Sequence, residues 1–422
     1  MLHAIRPRLQ RGIALAGAAL AGSGLLAACA TSAPAHNHVS GYRLTIYASV
    51  PFDGPSSITA RAVIGGAEMA LDAAHRRVGS YRIVLRVVND ATVPSRGWDP
   101  GQTSANARRA VADPSTIGYI GEVNSGASAI SIPLLNRAGI PQVSPSSTAV
   151  GLTTGGPEAA PGEPQKYYPS LTRTFARVVP NDAVQAAVQA RLQRQLGCRR
   201  TAVLDDGEVD GRDGAMSFAV AAHAAGIRVV ANDTFNPRAA NYRSLAASVA
   251  QSGATCVLIS ALPQNNAALV SEQVARAVPA ARIFGWSGLA ESTYTARQYG
   301  GIPGWLDPRM MITVAALAPR LYPRAGRRFL AAYARRYGHS QPDAIYGYEA
   351  MSLMLAAINR ATDEGTAGAI RTGVRRAIFA TRDRHSVLGT YSIKSRGDTS
   401  LDRYGVYRVV DGRMVFWKAL AP

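Results

Sequence analysis

At 422 residues, 47% of them hydrophobic and 17% charged, the chain is long enough for two cores and too apolar to be disordered. A formal net charge of +19 admits nucleic acid, an anionic membrane surface or an Arg-rich proteome as its cause. The arginine pairs, among them Arg76-Arg77, Arg108-Arg109 and Arg335-Arg336, are scattered over polar helix faces without interleaved aromatics. They therefore read as solvated faces, with attraction to a membrane surface as a secondary role and no nucleic-acid partner.

Met1 to Ala28 reads as an export signal: Arg6, Arg8 and Arg11 precede an apolar run, Gly12 to Ala28, that is short for a membrane span. The run ends in Leu26-Ala27-Ala28-Cys29, which resembles the bacterial lipoprotein box. That resemblance implies a signal over 1–28, a lipid on Cys29, a polar tether over 29–41, and a folded part held by its lipid outside the cell. No later segment is long and apolar enough to span a bilayer. Two cysteines remain, Cys198 and Cys256, each at the start of a predicted strand. In a doubly wound lobe those strands are neighbours, so outside the cell a disulfide is expected, with two buried free thiols as the alternative. Too few ligands lie nearby for a metal, and no cofactor is expected.

Tyr42 to Ala48 alternates as a first strand, and Pro51-Phe52-Asp53-Gly54-Pro55 turns into a helix that runs to about Arg77, with Val63, Ala67, Ala70, Leu71 and Ala74 at helical spacing. A strand over Tyr81 to Asn89, a turn-rich loop, a helix over Gln102 to Ala112 and a strand from Ile117 follow. This alternation implies a parallel sheet covered on both faces. Two short, buried-looking strands then end in small hydroxyl residues: the first runs into Asn124, Ser125 and a helix from about Gly126, the second into Ser146, Ser147 and Thr148. At the carboxyl edge of such a sheet, main-chain N–H groups and hydroxyls converge to hold a carboxylate, which makes these corners half of a small-molecule pocket. The alternative is that they only cap a helix and shape a turn.

A Gly- and Pro-rich excursion occupies Gly151 to Ser170, Thr174 to Val179 is extended, and Asn181-Asp182 caps a helix over Ala183 to Leu196. The alternation then restarts. Strands over Thr201 to Asp205, Ile227 to Ala231, Val257 to Ser260 and Arg282 to Trp286 alternate with helices. They form a second Rossmann-like lobe, in which residues Asp206 to Gly211 are a loop. After a strand over Arg309 to Ala315 come helices near Gly326 to Tyr337, Ala344 to Ala361 and Thr366 to Ala380, then strands at Leu388 to Ile393, Tyr404 to Val410 and Met414 to Ala419. The expected fold is α/β, with one lobe of residues 42–178 plus 313–402, another of 179–312 plus 403–422, and a three-segment hinge that permits closure.

The stretches Trp98-Asp99-Pro100-Gly101-Gln102-Thr103, Ile120-Gly121-Glu122-Val123-Asn124-Ser125-Gly126, Ala138-Gly139-Ile140-Pro141-Gln142-Val143-Ser144-Pro145-Ser146-Ser147-Thr148, Phe175-Ala176-Arg177-Val178-Val179-Pro180-Asn181-Asp182 and Asp343-Ala344-Ile345-Tyr346-Gly347-Tyr348-Glu349-Ala350 together resemble the branched-chain-amino-acid type of solute-binding protein, the extracytoplasmic receptor of an ABC importer with a type I periplasmic-binding fold. The resemblance implies that a small polar solute, often an amino acid, is trapped between the lobes and delivered to permease subunits by a monomeric receptor. It puts Ser125, Ser146 and Thr148 on the ligand carboxylate. In the second lobe the chain departs from the pattern: Asp210 stands before Gly211 where a Tyr is usual, and Ser287 where a Glu is usual, with Glu291 four residues on. Asp210, Asp206 or Glu291 is then expected to supply the negative group, and Tyr346 to line the cleft. The candidate ligand set is Asn124, Ser125, Ser146, Ser147, Thr148, Asp210, Ser287 and Tyr346.

An enzyme on this scaffold is not expected. The first strand leads to Pro51-Phe52-Asp53-Gly54-Pro55, without the Gly-x-Gly-x-x-Gly of a dinucleotide site, and no Ser-His pair is suggested by position. The alternatives are a lipoprotein sensor of the same fold and a receptor for an amide- or urea-like solute.

Overall fold

The structure is a computed structural model that describes residues 37–338 and 341–422. The leader and Cys29 lie outside the described residues. Among those described, no helix is long and apolar enough to cross a membrane.

Two sheets organise the chain. The first has six strands in the order Arg77–Val78, Tyr81–Asn89, Arg43–Val50, Thr116–Ile120, Gln142–Ser144, Phe175–Arg177, all parallel except the first pair. The second has seven, in the order Arg228–Thr234, Arg200–Asp205, Cys256–Ser260, Arg282–Gly285, Met310–Val314, Tyr404–Val410, Arg413–Leu420; the first five run parallel and the last two form an antiparallel edge. Thr116–Ile120 and Cys256–Ser260 are buried at every position, because helices cover both faces of a parallel sheet. The second sheet accordingly carries one hydrophobic cluster around Ile259, Val270 and Ile283 and another around Val203, Phe218 and Trp286. Cys198 and Cys256 are joined by a disulfide, with their Cα atoms 5.9 Å apart.

The chain passes between the sheets three times: after Arg177, after Val314 and before Tyr404. The expected boundary at 312/313 cuts through Met310–Val314, a strand that pairs as a whole in the second sheet, so the chain leaves that lobe two residues later than its sequence indicated. The returning helix Ala344–Ala361 packs on Ser57–Ala73 in the first lobe. A Cβ at Gly66 would lie 1.9 Å from the Ala344 carbonyl oxygen, and one at Gly347 would lie 2.0 Å from that of Val63, so two glycines permit backbone contact between the helices.

Three further expectations are corrected here. The expected tether runs to residue 41, yet His38–Val39 pairs antiparallel with Ala369–Ile370 and Val39 is buried. The helix expected from Thr366 starts only at Arg371, because Asp363, Glu364 and Gly365 all have positive φ and break the chain into a turn before that short strand. The helix expected from Gln102 starts instead at Pro100, where the Asp99 side chain accepts the Gln102 N–H and proline suits the first turn.

Candidate ligand-binding site

The carboxyl edges of the two sheets face each other across a cavity of about 90 Å³, lined from both lobes and all three crossovers. Asn124, Ser125, Ser146, Thr148, Asp210, Ser287 and Tyr346 are all on its wall. Ser147 is not. It is fully buried behind the corner, where its hydroxyl meets the Glu122 carbonyl at 3.0 Å and the Ser128 hydroxyl at 2.8 Å. Ser147 thus braces the corner that Ser146 and Thr148 present.

The first corner is formed where the strand Thr116–Ile120 hands over to the helix Ser125–Arg137. Asn124 stands at the cap position but makes no side-chain cap bond. Ser125 is the first helical residue, and its Oγ accepts the N–H groups of Thr148 and Ala149, each at 3.2 Å, which ties the two corners together. With its lone pairs engaged by two donors, the Ser125 hydroxyl has its proton left to give. It donates that proton to Asp210 Oδ1 at 3.3 Å, and Thr148 Oγ1 donates to the same oxygen at 3.2 Å. The turn-shaping role considered for these serines belongs to Ser144, whose Oγ accepts the N–H groups of Ser146 and Ser147. From below, the fully buried Arg177 guanidinium donates to the Ser147 and Ala149 carbonyls at 3.0 and 2.8 Å and pairs with Asp398 at 2.7 Å.

The second lobe answers with carboxylates. Asp210 lies in the first turn of the helix Val209–Ala224, one turn earlier than a loop through Gly211 would put it, and so projects into the gap. Asp213, one turn on, accepts the N–H groups of Val150 and Gly151 at 2.6 and 3.2 Å. Glu291 accepts the Thr59 hydroxyl at 2.9 Å, which with the two on Asp210 makes a third hydroxyl-to-carboxylate bond between the lobes. Asp206, an alternative acid in the sequence, serves its own lobe instead: it accepts the Leu262 N–H and the Asn265 amide, each at 2.8 Å, and is not on the cavity wall. Sequence reasoning passed over Asp343, which lines the cavity beside Tyr346. The signal was available, since residues three apart share a helix face and Tyr346 had been singled out. Tyr346 itself donates to the Ala315 carbonyl at 2.8 Å and so braces the second crossover.

Enclosure between the lobes raises the pKa of each acid here. Burial, then the neighbouring Asp343, pushes Glu291 to about 8, and burial pushes Asp343 to about 6. Burial raises Asp210 as well, opposed by the Thr148 and Ser125 hydroxyls, and it takes Asp213 to about 8. Among the described residues, no lining side chain is basic.

Two α/β lobes joined by three crossovers, with a polar cavity at their facing sheet edges, define a two-lobed solute-binding protein. A profile of the periplasmic binding protein family matches residues 44–412, and the chain belongs to that family. The Leu/Ile/Val-binding protein BraC3 of Rhizobium johnstonii is 22% identical over 384 residues, covering 88% of this chain and 93% of that protein. The fold is that of the leucine-binding protein LivK of Thermotoga maritima, with a TM-score of 0.73 and 21% identity over 90% of this chain and 99% of the other. It is also that of a solute-binding protein of an ABC transporter from R. palustris crystallised with benzoate, at a TM-score of 0.70 and 16% identity over 90% and 97% of the two chains.

Proposed function

We propose that the protein is the extracytoplasmic receptor of an ABC importer, which captures a small polar solute of the amino-acid size class between its lobes and delivers it to a membrane permease. The observation that carries this reading is the interlobe cavity, which is crossed by hydrogen bonds from Ser125, Thr148 and Thr59 to acids of the opposite lobe. Those bonds make lobe closure and cavity formation one event, as a receptor that traps its ligand requires. The family supports import, and the leader sequence supports a lipid on Cys29 as the anchor, a point checked by loss of lipid label in Cys29→Ala. Binding without turnover is the role proposed for Ser125, Ser146, Thr148, Asn124, Asp210, Ser287 and Tyr346.

A thermal-shift panel of branched, polar and basic amino acids, aliphatic amines, amides, urea and aromatic acids tests the reading. A true solute at about 100 times its Kd stabilises the folded protein by about 2.7 kcal/mol and raises the melting temperature accordingly. The double variant Ser125→Ala with Thr148→Val should still fold and should lose that rise. An unchanged rise in the variant would place the site elsewhere.

A further inference from the structure

We propose that the cavity selects a small organic cation without a free carboxylate, an aliphatic diamine or a guanidino-amine, in place of a zwitterionic branched-chain amino acid. This rests on the receptor reading above and names the chemistry of the same site.

The hydroxyl corner suited to a ligand carboxylate already holds one. Ser125 has a single proton to give and gives it to Asp210, and Thr148 gives its own to the same oxygen. Asp210 arrives from the opposite lobe as that lobe closes, so the corner's negative partner comes from the protein. The remaining wall offers Glu291 and Asp343, with the Thr59 hydroxyl on Glu291. A ligand carboxylate would therefore be a fourth acid in an enclosure whose lining has no basic side chain, and an uncompensated charge taken out of water is costly. An ammonium or guanidinium removes that cost by pairing.

A metal ion is a poor candidate, because no group of three His, Cys, Asp or Glu side chains among the described residues is arranged to hold one. The cavity, about 90 Å³, calls for a small solute.

The test is calorimetric titration of the mature chain with 1,4-diaminobutane, 4-guanidinobutylamine, leucine and benzoate, using wild type, Asp210→Asn and Glu291→Gln. Each variant is first melted to establish that it folds. The expected result is that one of the two amines binds at least 100-fold more tightly than leucine or benzoate, and that each substitution weakens it at least tenfold. Leucine or benzoate binding as tightly as the amines would overturn the inference while leaving the receptor reading intact. So would Asp210→Asn tightening leucine, which would make Asp210 a plug in a carboxylate site. If neither amine binds and no solute of the wider panel does either, both readings fall.

Discussion

At the scale of single residues, the side chains divide into those that line the cavity and those that hold the lining in place. Ser125 and Thr148 do the first; Arg177, Ser144 and Ser147 do the second. A third kind is the buried pair Asp90 and Glu122 beneath the first corner. Glu122 accepts the Tyr119 hydroxyl at 2.8 Å, but both oxygens of Asp90 and the other oxygen of Glu122 lack a donor. The two carboxyls satisfy each other only by sharing a proton. Burial takes Asp90 to about 6, and burial with the Asp90 charge holds Glu122 well above the usual carboxylate range. Both groups hold protons more tightly folded than unfolded. Their contribution is therefore complete below about pH 4 and is lost as pH rises through about 6 and beyond. Glu122→Gln supplies a permanent N–H donor to Asp90. It should raise stability at pH 8 by on the order of 2 kcal/mol, with the gain shrinking towards pH 5, as read by urea unfolding at both values. A gain equal at the two pH values would rule out the shared proton. Of this scale, the sequence disclosed the hydroxyls at strand ends, because their place at the sheet edge follows from periodicity. It did not disclose that Ser147 faces inward, which turn geometry decides, or that Asp210 meets Ser125, since the two are 85 residues apart.

At the scale of elements, most of the chain was legible. The helix Ala344–Ala361 and the strands Tyr81–Asn89 and Tyr404–Val410 have the bounds their hydrophobic patterns indicate. The misreadings occur where backbone conformation overrides pattern: three consecutive positive φ angles at 363–365 delay a helix, and the pairing of His38–Val39 with Ala369–Ile370 joins segments that no local signal connects. The contact of Ser57–Ala73 with Ala344–Ala361 sets the returning helix against the first lobe, and Tyr346 lies in its first turn. Gly347→Ala would drive a Cβ to 2.0 Å from the Val63 carbonyl oxygen, so the helices must separate. The expected cost is roughly 1–3 kcal/mol, seen as a lower melting temperature of the unloaded protein. Because Tyr346 moves with the helix, solute affinity should fall as well. A variant as stable as wild type would show that the helix contact has slack.

At the scale of the whole molecule, the two sheets and three crossovers bring the cavity wall together from both lobes. The first lobe presents the hydroxyl corners and Asp343, and the second presents Asp210 and Glu291. Two-lobed architecture was readable because the β-α alternation stops at the Gly- and Pro-rich excursion and restarts after Asn181. The boundary within Met310–Val314 was not, since a strand's sheet is set by its partners and not by its own residues. In the proposed receptor the solute sits between the lobes, against Asp210 and Glu291. A crystal structure of the protein grown with the panel's strongest solute tests this most directly. The expected result is the solute enclosed between the lobes, with positive charge against Glu291 and Asp343. Solute density outside the cleft, or a carboxylate seated on Ser125 and Thr148 with Asp210 turned away, would contradict it.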